Sequence, residues 1–259
     1  MINTGDAYAK SAQIAEKNLK EAFEAAQDYI QAAKAYKNIN TELAIENYQF
    51  AINIQMENNK FSSAARLWKE LGEIQEKELQ LQAAAFAFQK AADCFEAEDK
   101  ANASGCHIKV AELSADQEDY KKAIEIYEKV SNNSLDNKGM AWSVKDYLFK
   151  ALLCQFILAA KTPKQDMAIM ESTIEKYREM LPQFDGTREL KLIQDAVNAF
   201  KADNVEEFTD HIFKYDEIYK LDNWTAKILL NVKNALKEGP PVNTEFDYTG
   251  KNSKEDDYR

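Results

Sequence analysis

Between residues 25 and 130 the apolar positions fall into a recurring triplet. A small residue comes first, a large apolar or aromatic residue four later, and a small or apolar residue three after that. The triplet reads Ala25/Tyr29/Ala32, Ala44/Tyr48/Ala51, Ala64/Trp68/Leu71, Ala84/Phe88/Ala91, Ser104/Ile108/Ala111 and Ala123/Tyr127/Val130, with starts 19 or 20 residues apart. An i, i+4, i+7 spacing places all three residues on one face of a helix. Each period therefore predicts one helix. Polar turns fall between the helices, at KNINTE, MENNK, EAEDKAN and SADQED. The small residues let a neighbouring helix approach, and the aromatic fills the groove that remains. Two such helices form a hairpin, and stacked hairpins form an all-α solenoid of the tetratricopeptide kind. That consensus repeats every 34 residues or about that, so longer helices are expected here. Tyr29, Tyr48, Trp68, Phe88 and Tyr127 are assigned to its core.

Beyond residue 130 the register changes. Breaks are predicted at NNSLDNKGM (132–140), at Pro163 in AKTPKQD and at Pro182 and Gly186 in LPQFDGTRE. Helices are expected at 141–160, 166–180, 188–202, 205–219 and 221–237, forming a compact C-terminal helical bundle that caps the solenoid. The resulting division is a solenoid at 1–160, a bundle at 161–238 and a flexible acidic tail at 239–259.

Composition agrees with an all-α reading. Only 7 glycines and 4 prolines occur in 259 residues, too few for the turns of a strand-rich chain. There is no apolar run of about 18 residues and no secretion signal at the N-terminus. Cys94, Cys106 and Cys154 are isolated from one another, as free thiols in a reducing cytosol would be. A formal net charge of -11 argues against general binding to nucleic acid or anionic lipid. Against that charge, WSVKDYLFKALLCQF (142–156) is unusual, because Lys145 and Lys150 interrupt an almost wholly apolar helix.

No constellation for catalysis emerges. Cys106 and His107 are adjacent and so point about 100° apart on a helix. His211 follows Asp210 without a second ligand at metal spacing. No phosphate-binding glycine motif is present. Carboxylate runs such as EIQEKE read as solvated faces. The chain is predicted to be a non-enzymatic binding scaffold with no cofactor and no metal.

Several segments then acquire a common meaning. AIENYQFAINIQMENNKFSSAARLWKELGEIQEKEL, DYKKAIEIYEKV with SVKDYLFKALLCQF, KYREMLPQFDGTRELKLI and KADNVEEFTDHIFKYDEIYKLDNWTAKILLNVK resemble the soluble NSF attachment proteins of the alpha/beta type. The likeness runs from about residue 4 to residue 237. It implies an adaptor that binds the four-helix bundle of assembled SNARE proteins, syntaxin-like members included. The adaptor then recruits and stimulates the hexameric NSF-type AAA ATPase, which disassembles the bundle in vesicle fusion and intracellular protein transport. It further implies a cytoplasmic protein that meets membrane only peripherally, through the SNAREs.

Residue by residue, the family's basic SNARE contacts fall on Lys60, Arg66, Lys109, Lys145 and Arg188. Gly105 stands where relatives carry another lysine, and Lys201 where they are usually acidic. The family's ATPase contacts at the C-terminal end fall on Asp256, Asp257 and Tyr258, the last in place of a leucine. Relatives begin with a further hairpin whose loop touches membrane. This chain starts about one hairpin later, so no direct membrane attachment is expected of it. The alternative reading is a tetratricopeptide cochaperone clamping peptide termini, for which the paired Lys and Asn positions are not found at repeat spacing.

Overall fold

The computed structural model describes residues 2–17, 21–135, 141–162 and 167–239. Among these residues the chain forms twelve α-helices and no strand. The first seven are α1 (Ile2–Glu16), α2 (Ala22–Tyr36), α3 (Thr41–Glu57), α4 (Phe61–Lys77), α5 (Leu81–Phe95), α6 (Lys100–Asp116) and α7 (Tyr120–Leu135). After a short turn at Ala141–Ser143 come α8 (Val144–Ala160), α9 (Ala168–Met180), α10 (Arg188–Lys201), α11 (Val205–Tyr219) and α12 (Asn223–Glu238). Helices α1 to α8 each pack on the next in chain order, the pattern of a solenoid.

The triplets form the interhelical core where predicted, with one shift. Tyr29, Tyr48, Phe88 and Tyr127 are buried together with their flanking small residues. In α6 Ala111 is buried as expected, but the rest of the buried stripe is Ala103, Cys106, Val110 and Leu113, and Ser104 and Ile108 lie at its edge. The sixth helix is thus rotated from the expected register. Trp68 is also only half-buried and stacks edge-on to the exposed Phe86 at 6.0 Å. Glycine serves close packing at two points: a Cβ on Gly5 of α1 would lie 2.7 Å from the buried Tyr36 ring, and one on Gly72 of α4 would lie 3.0 Å from the buried Phe88 ring.

Four of the turns share one chemistry. Asn59, Leu79, Glu118 and Asp203 all have positive φ, and in each case the next residue's N–H donates to the carbonyl five residues back. This helix stop satisfies carbonyls that would otherwise be orphaned. Helix starts are capped by Asn40, Asp99, Asp119, Thr187, Asn204 and Asp222, whose side chains accept from backbone N–H groups. The segment NNSLDNKGM is in part helical, because α7 runs through to Leu135.

Helix α8 joins the two halves. It packs on α7 and also on α9, α10 and α12. One continuous buried cluster, including Ala111, Tyr127, Leu152, Phe156, Phe200 and Leu236, links α6 to the last helix. The near-total apolarity of 144–160 follows from this, since α8 is enclosed by helices on several sides.

Candidate interaction surface

Side chains link α4 to α6, α6 to α8 and α8 to α10, so these four helices form one layer bearing the basic residues. Lys109 on α6 donates to Glu76 of α4 at 3.0 Å and lies 3.6 Å from Glu112 on its own helix. Burial alone would lower its pKa, but the bonds to Glu76 and Glu112 outweigh that and raise it. Lys150 on α8 pairs with the same Glu112 and sits 5.2 Å from the Trp224 ring of α12. The two lysines of the apolar stretch therefore differ. Lys150 is turned inward as a structural clamp between α6, α8 and α12.

Lys145 meets a different carboxylate. Its ammonium lies 3.8 Å from buried Glu189, to which Arg188 also donates at 3.0 Å. The Arg188 guanidinium stacks 4.1 Å from the Tyr219 ring. The structure thus brings two predicted cations, far apart in sequence, onto one carboxyl group. Beside them, burial pushes the Asp146 carboxyl above its usual range, opposed by Lys145 and reinforced by Glu189.

Lys60 and Arg66 lie together at the other end of the layer. They line a groove of about 400 Å³ between α2 and α4, with Lys34, Phe23 and Ile30 on the α2 side and Leu67 on α4. All five predicted basic residues are therefore described, Lys60 at the N-cap of α4 and the others within helices. Among the described residues three of them are tied to carboxylates and two are not.

Several participants were not foreseen. Glu76 belongs to EIQEKE, which the sequence presents as a solvated run, yet it is the partner of Lys109. Glu112, Glu189 and Lys34 carried no local signal either, because their partners are supplied by other helices. Lys201 pairs with Glu171 of α9. Asp256, Asp257 and Tyr258 lie outside the described residues.

The remaining candidates behave as packing. Cys106 is buried, which pushes its thiol up to about 11, and His107 lies 3.6 Å from Glu96. Cys154 is likewise buried and pushed up to about 12. His211 sits 3.7 Å from Glu207 and 3.9 Å from Asp195. No described helix is long and apolar enough to cross a membrane.

The model of the family described as "Soluble NSF attachment protein, SNAP" matches residues 1–237. The chain belongs to the soluble NSF attachment protein family. It is similar to the alpha-soluble NSF attachment protein of Vitis vinifera, 35% identical over 90% of this chain and 78% of that one. It is similar to the beta-soluble NSF attachment protein of Bos taurus at 33% identity, covering 90% of this chain and 76% of that one. A probable vesicular-fusion protein of Neurospora crassa is 36% identical over 90% of this chain and 79% of its own. The match of this NSF attachment protein family spans every described helix, from α1 to nearly the end of α12.

Proposed function

We propose that this chain is an adaptor, not a catalyst, which grips an assembled SNARE four-helix bundle and presents it to a hexameric NSF-type ATPase for disassembly in vesicle fusion. The observation that carries this reading is the alignment of Lys60, Arg66, Lys109, Lys145 and Arg188 along one layer of helices in a chain of net charge -11. Cations concentrated on one face of an acidic protein suit a long acidic partner, and their field steers its approach. In this reading residues 1–160 grip the bundle and residues 161–238 support coupling to the ATPase. Membrane is reached through the SNAREs, and the place of action is the cytoplasm.

The tail completes the proposal. Asp256 and Asp257 pair with basic groups on the ATPase, and the Tyr258 ring enters an apolar pocket there. The test is the disassembly rate of a preassembled SNARE bundle with purified ATPase and ATP at saturating adaptor. The full chain is expected to bind the bundle and support disassembly. Deletion of 255–259 is expected to leave bundle binding intact and slow disassembly, with Tyr258→Ala reproducing part of the loss and Tyr258→Leu tolerated. A full chain that fails to retain the bundle would overturn the adaptor reading. A deletion that disassembles at the full rate would remove the tail from the mechanism.

A further inference from the structure

The cations of the even-helix layer are of two kinds. Lys109, Lys145 and Arg188 are neutralised by Glu76, Glu112 and Glu189. By contrast, Lys34, Lys60 and Arg66 have no carboxylate of the described residues within 4.0 Å. Arg66 helps to hold the Asp99 carboxylate below its usual range, after the hydrogen bonds from Asn102. A cation already paired must exchange one carboxylate for another when a partner arrives, and so contributes less to binding than a cation that is not.

Lys60 is moreover placed against its own helix. It occupies the N-cap position of α4 and makes no side-chain cap bond there. Position 60 is at the positive end of the helix dipole, where a cation is unfavourable and Asp, Ser or Asn would stabilise. Local folding does not account for a lysine at that point. Its neighbours define what it could meet. Phe23, 70% exposed, stands on the same face of α2 as half-buried Ile30 and exposed Lys34, at spacings of seven and four. Leu67 of α4 forms the apolar floor and the groove holds about 400 Å³.

We infer that Lys34 and Phe23 belong to the SNARE-binding site, and that the α2/α4 groove is its anchoring end. This rests on the adaptor reading and extends it to two residues that the family likeness does not assign. The occupant is an acidic amphipathic helix of the bundle. Its carboxylates meet Lys34, Lys60 and Arg66, and one large apolar side chain enters beside Phe23. The groove also holds Glu70, whose carboxylate accepts from the Tyr48 hydroxyl at 2.6 Å. Three cations with no carboxylate of the described residues within 4.0 Å outnumber it beside the apolar Leu67, which favours an acidic helix over a cationic one.

The test is titration of the full chain with a preassembled soluble SNARE bundle at about 0.1 M salt, where surface charges still act over about 10 Å. Lys34→Glu is expected to weaken binding about threefold to tenfold, since it removes one exposed attraction and adds a repulsion. Lys34→Arg should bind like the parent, and Phe23→Ser should weaken binding with an unchanged helical spectrum. Lys121→Glu on α7 makes the same change in net charge away from the groove and should have no effect. Because Lys34 also lies in the last turn of α2, thermal melts accompany each variant. If Lys34→Glu binds like the parent, or if Lys121→Glu weakens binding equally, the groove assignment is overturned and the adaptor reading stands. No binding by the parent chain overturns both.

Discussion

The ammonium of Lys109 on α6 lies 3.0 Å from the carboxylate of Glu76 on α4. This pair ties two successive hairpins of the solenoid, and its pH dependence has a definite sign. The Lys109 pKa is raised in the folded state, through Glu76 and Glu112 and against its burial. A raised lysine contributes stability that is fully present below the unfolded value of about 10.4 and is lost as pH rises through the folded one. Lys109→Met should therefore lower the melting temperature at pH 7, and the gap from the parent should narrow under strongly alkaline conditions. A gap that does not change up to that range would show the pair to be without energetic effect.

Two charge reversals on the proposed binding face should separate binding from folding. Lys60→Glu with Arg66→Glu removes cations that have no carboxylate partner among the described residues, so bundle binding should fall while the melting temperature stays within about 2 °C of the parent. Lys109→Glu with Lys145→Glu is different. It sets new carboxylates against Glu76, Glu112 and buried Glu189. Both binding and thermal stability should fall, because a buried charge left without its partner is costly. Equal melting temperatures for the two double variants would contradict the division into paired and unpaired cations.

Gly105 should accept the lysine that the family likeness places there. It lies on the exposed face of α6, four residues before Lys109, and an added Cβ meets nothing within 4 Å. Glycine inside a helix costs about 0.5–1 kcal/mol relative to good helix formers. Gly105→Lys is thus expected to raise the melting temperature and to tighten SNARE-bundle binding about twofold to fivefold. Both are read on one preparation, by a melt and a titration. Weaker binding would place residue 105 off the contact face.

The fold was largely written in the triplets, because small and aromatic residues at i, i+4 and i+7 have few other uses in a soluble helix. Tyr29, Tyr48, Phe88 and Tyr127 are buried accordingly. Where the pattern was weak it misled: Ser104 and Ile108 fit the spacing, but Ala103, Cys106 and Val110 bury more apolar surface and set the rotation of α6. The family likeness singled out the basic residues, and their carboxylate partners carried no signal in the sequence. Glu76 and Lys109 are 33 residues apart and Lys145 and Glu189 are 44 apart. Pairing across that distance depends on how helices stack, and a single sequence carries no local mark of it.

Leu79 is a site where a small change should stabilise. Its φ is 58° and its side chain is 81% exposed, so a large apolar group projects into solvent from a left-handed turn. The turn itself is needed, because Gln80 N–H donates to the Gln75 carbonyl at 2.9 Å. A left-handed conformation costs an ordinary L-residue about 1–2 kcal/mol, and asparagine less. The equivalent stop after α3 already uses Asn59. Leu79→Asn should raise the melting temperature by about 2 °C, with helical content unchanged. A lower melting temperature would mean that Leu79 makes contacts that outweigh its backbone strain.

The same chemical change at two buried tyrosines should have opposite effects. Tyr48 is fully buried, and its hydroxyl donates to Glu70 at 2.6 Å. Tyr127 is equally buried and stacks edge-on to Trp224 at 6.2 Å, yet its hydroxyl has no hydrogen-bond partner among the described residues. Burial raises the pKa of both phenols, so each stays protonated and is a donor at neutral pH. Removing a bonded hydroxyl strands the Glu70 carboxylate, and Tyr48→Phe should cost about 1–3 kcal/mol. Removing an unbonded one relieves a desolvated polar group while keeping the ring contact with Trp224. Tyr127→Phe should therefore be neutral, or stabilising by up to about 1 kcal/mol. Denaturant unfolding of the two variants in parallel measures the difference, and equal losses would show that the Tyr127 hydroxyl is bonded after all.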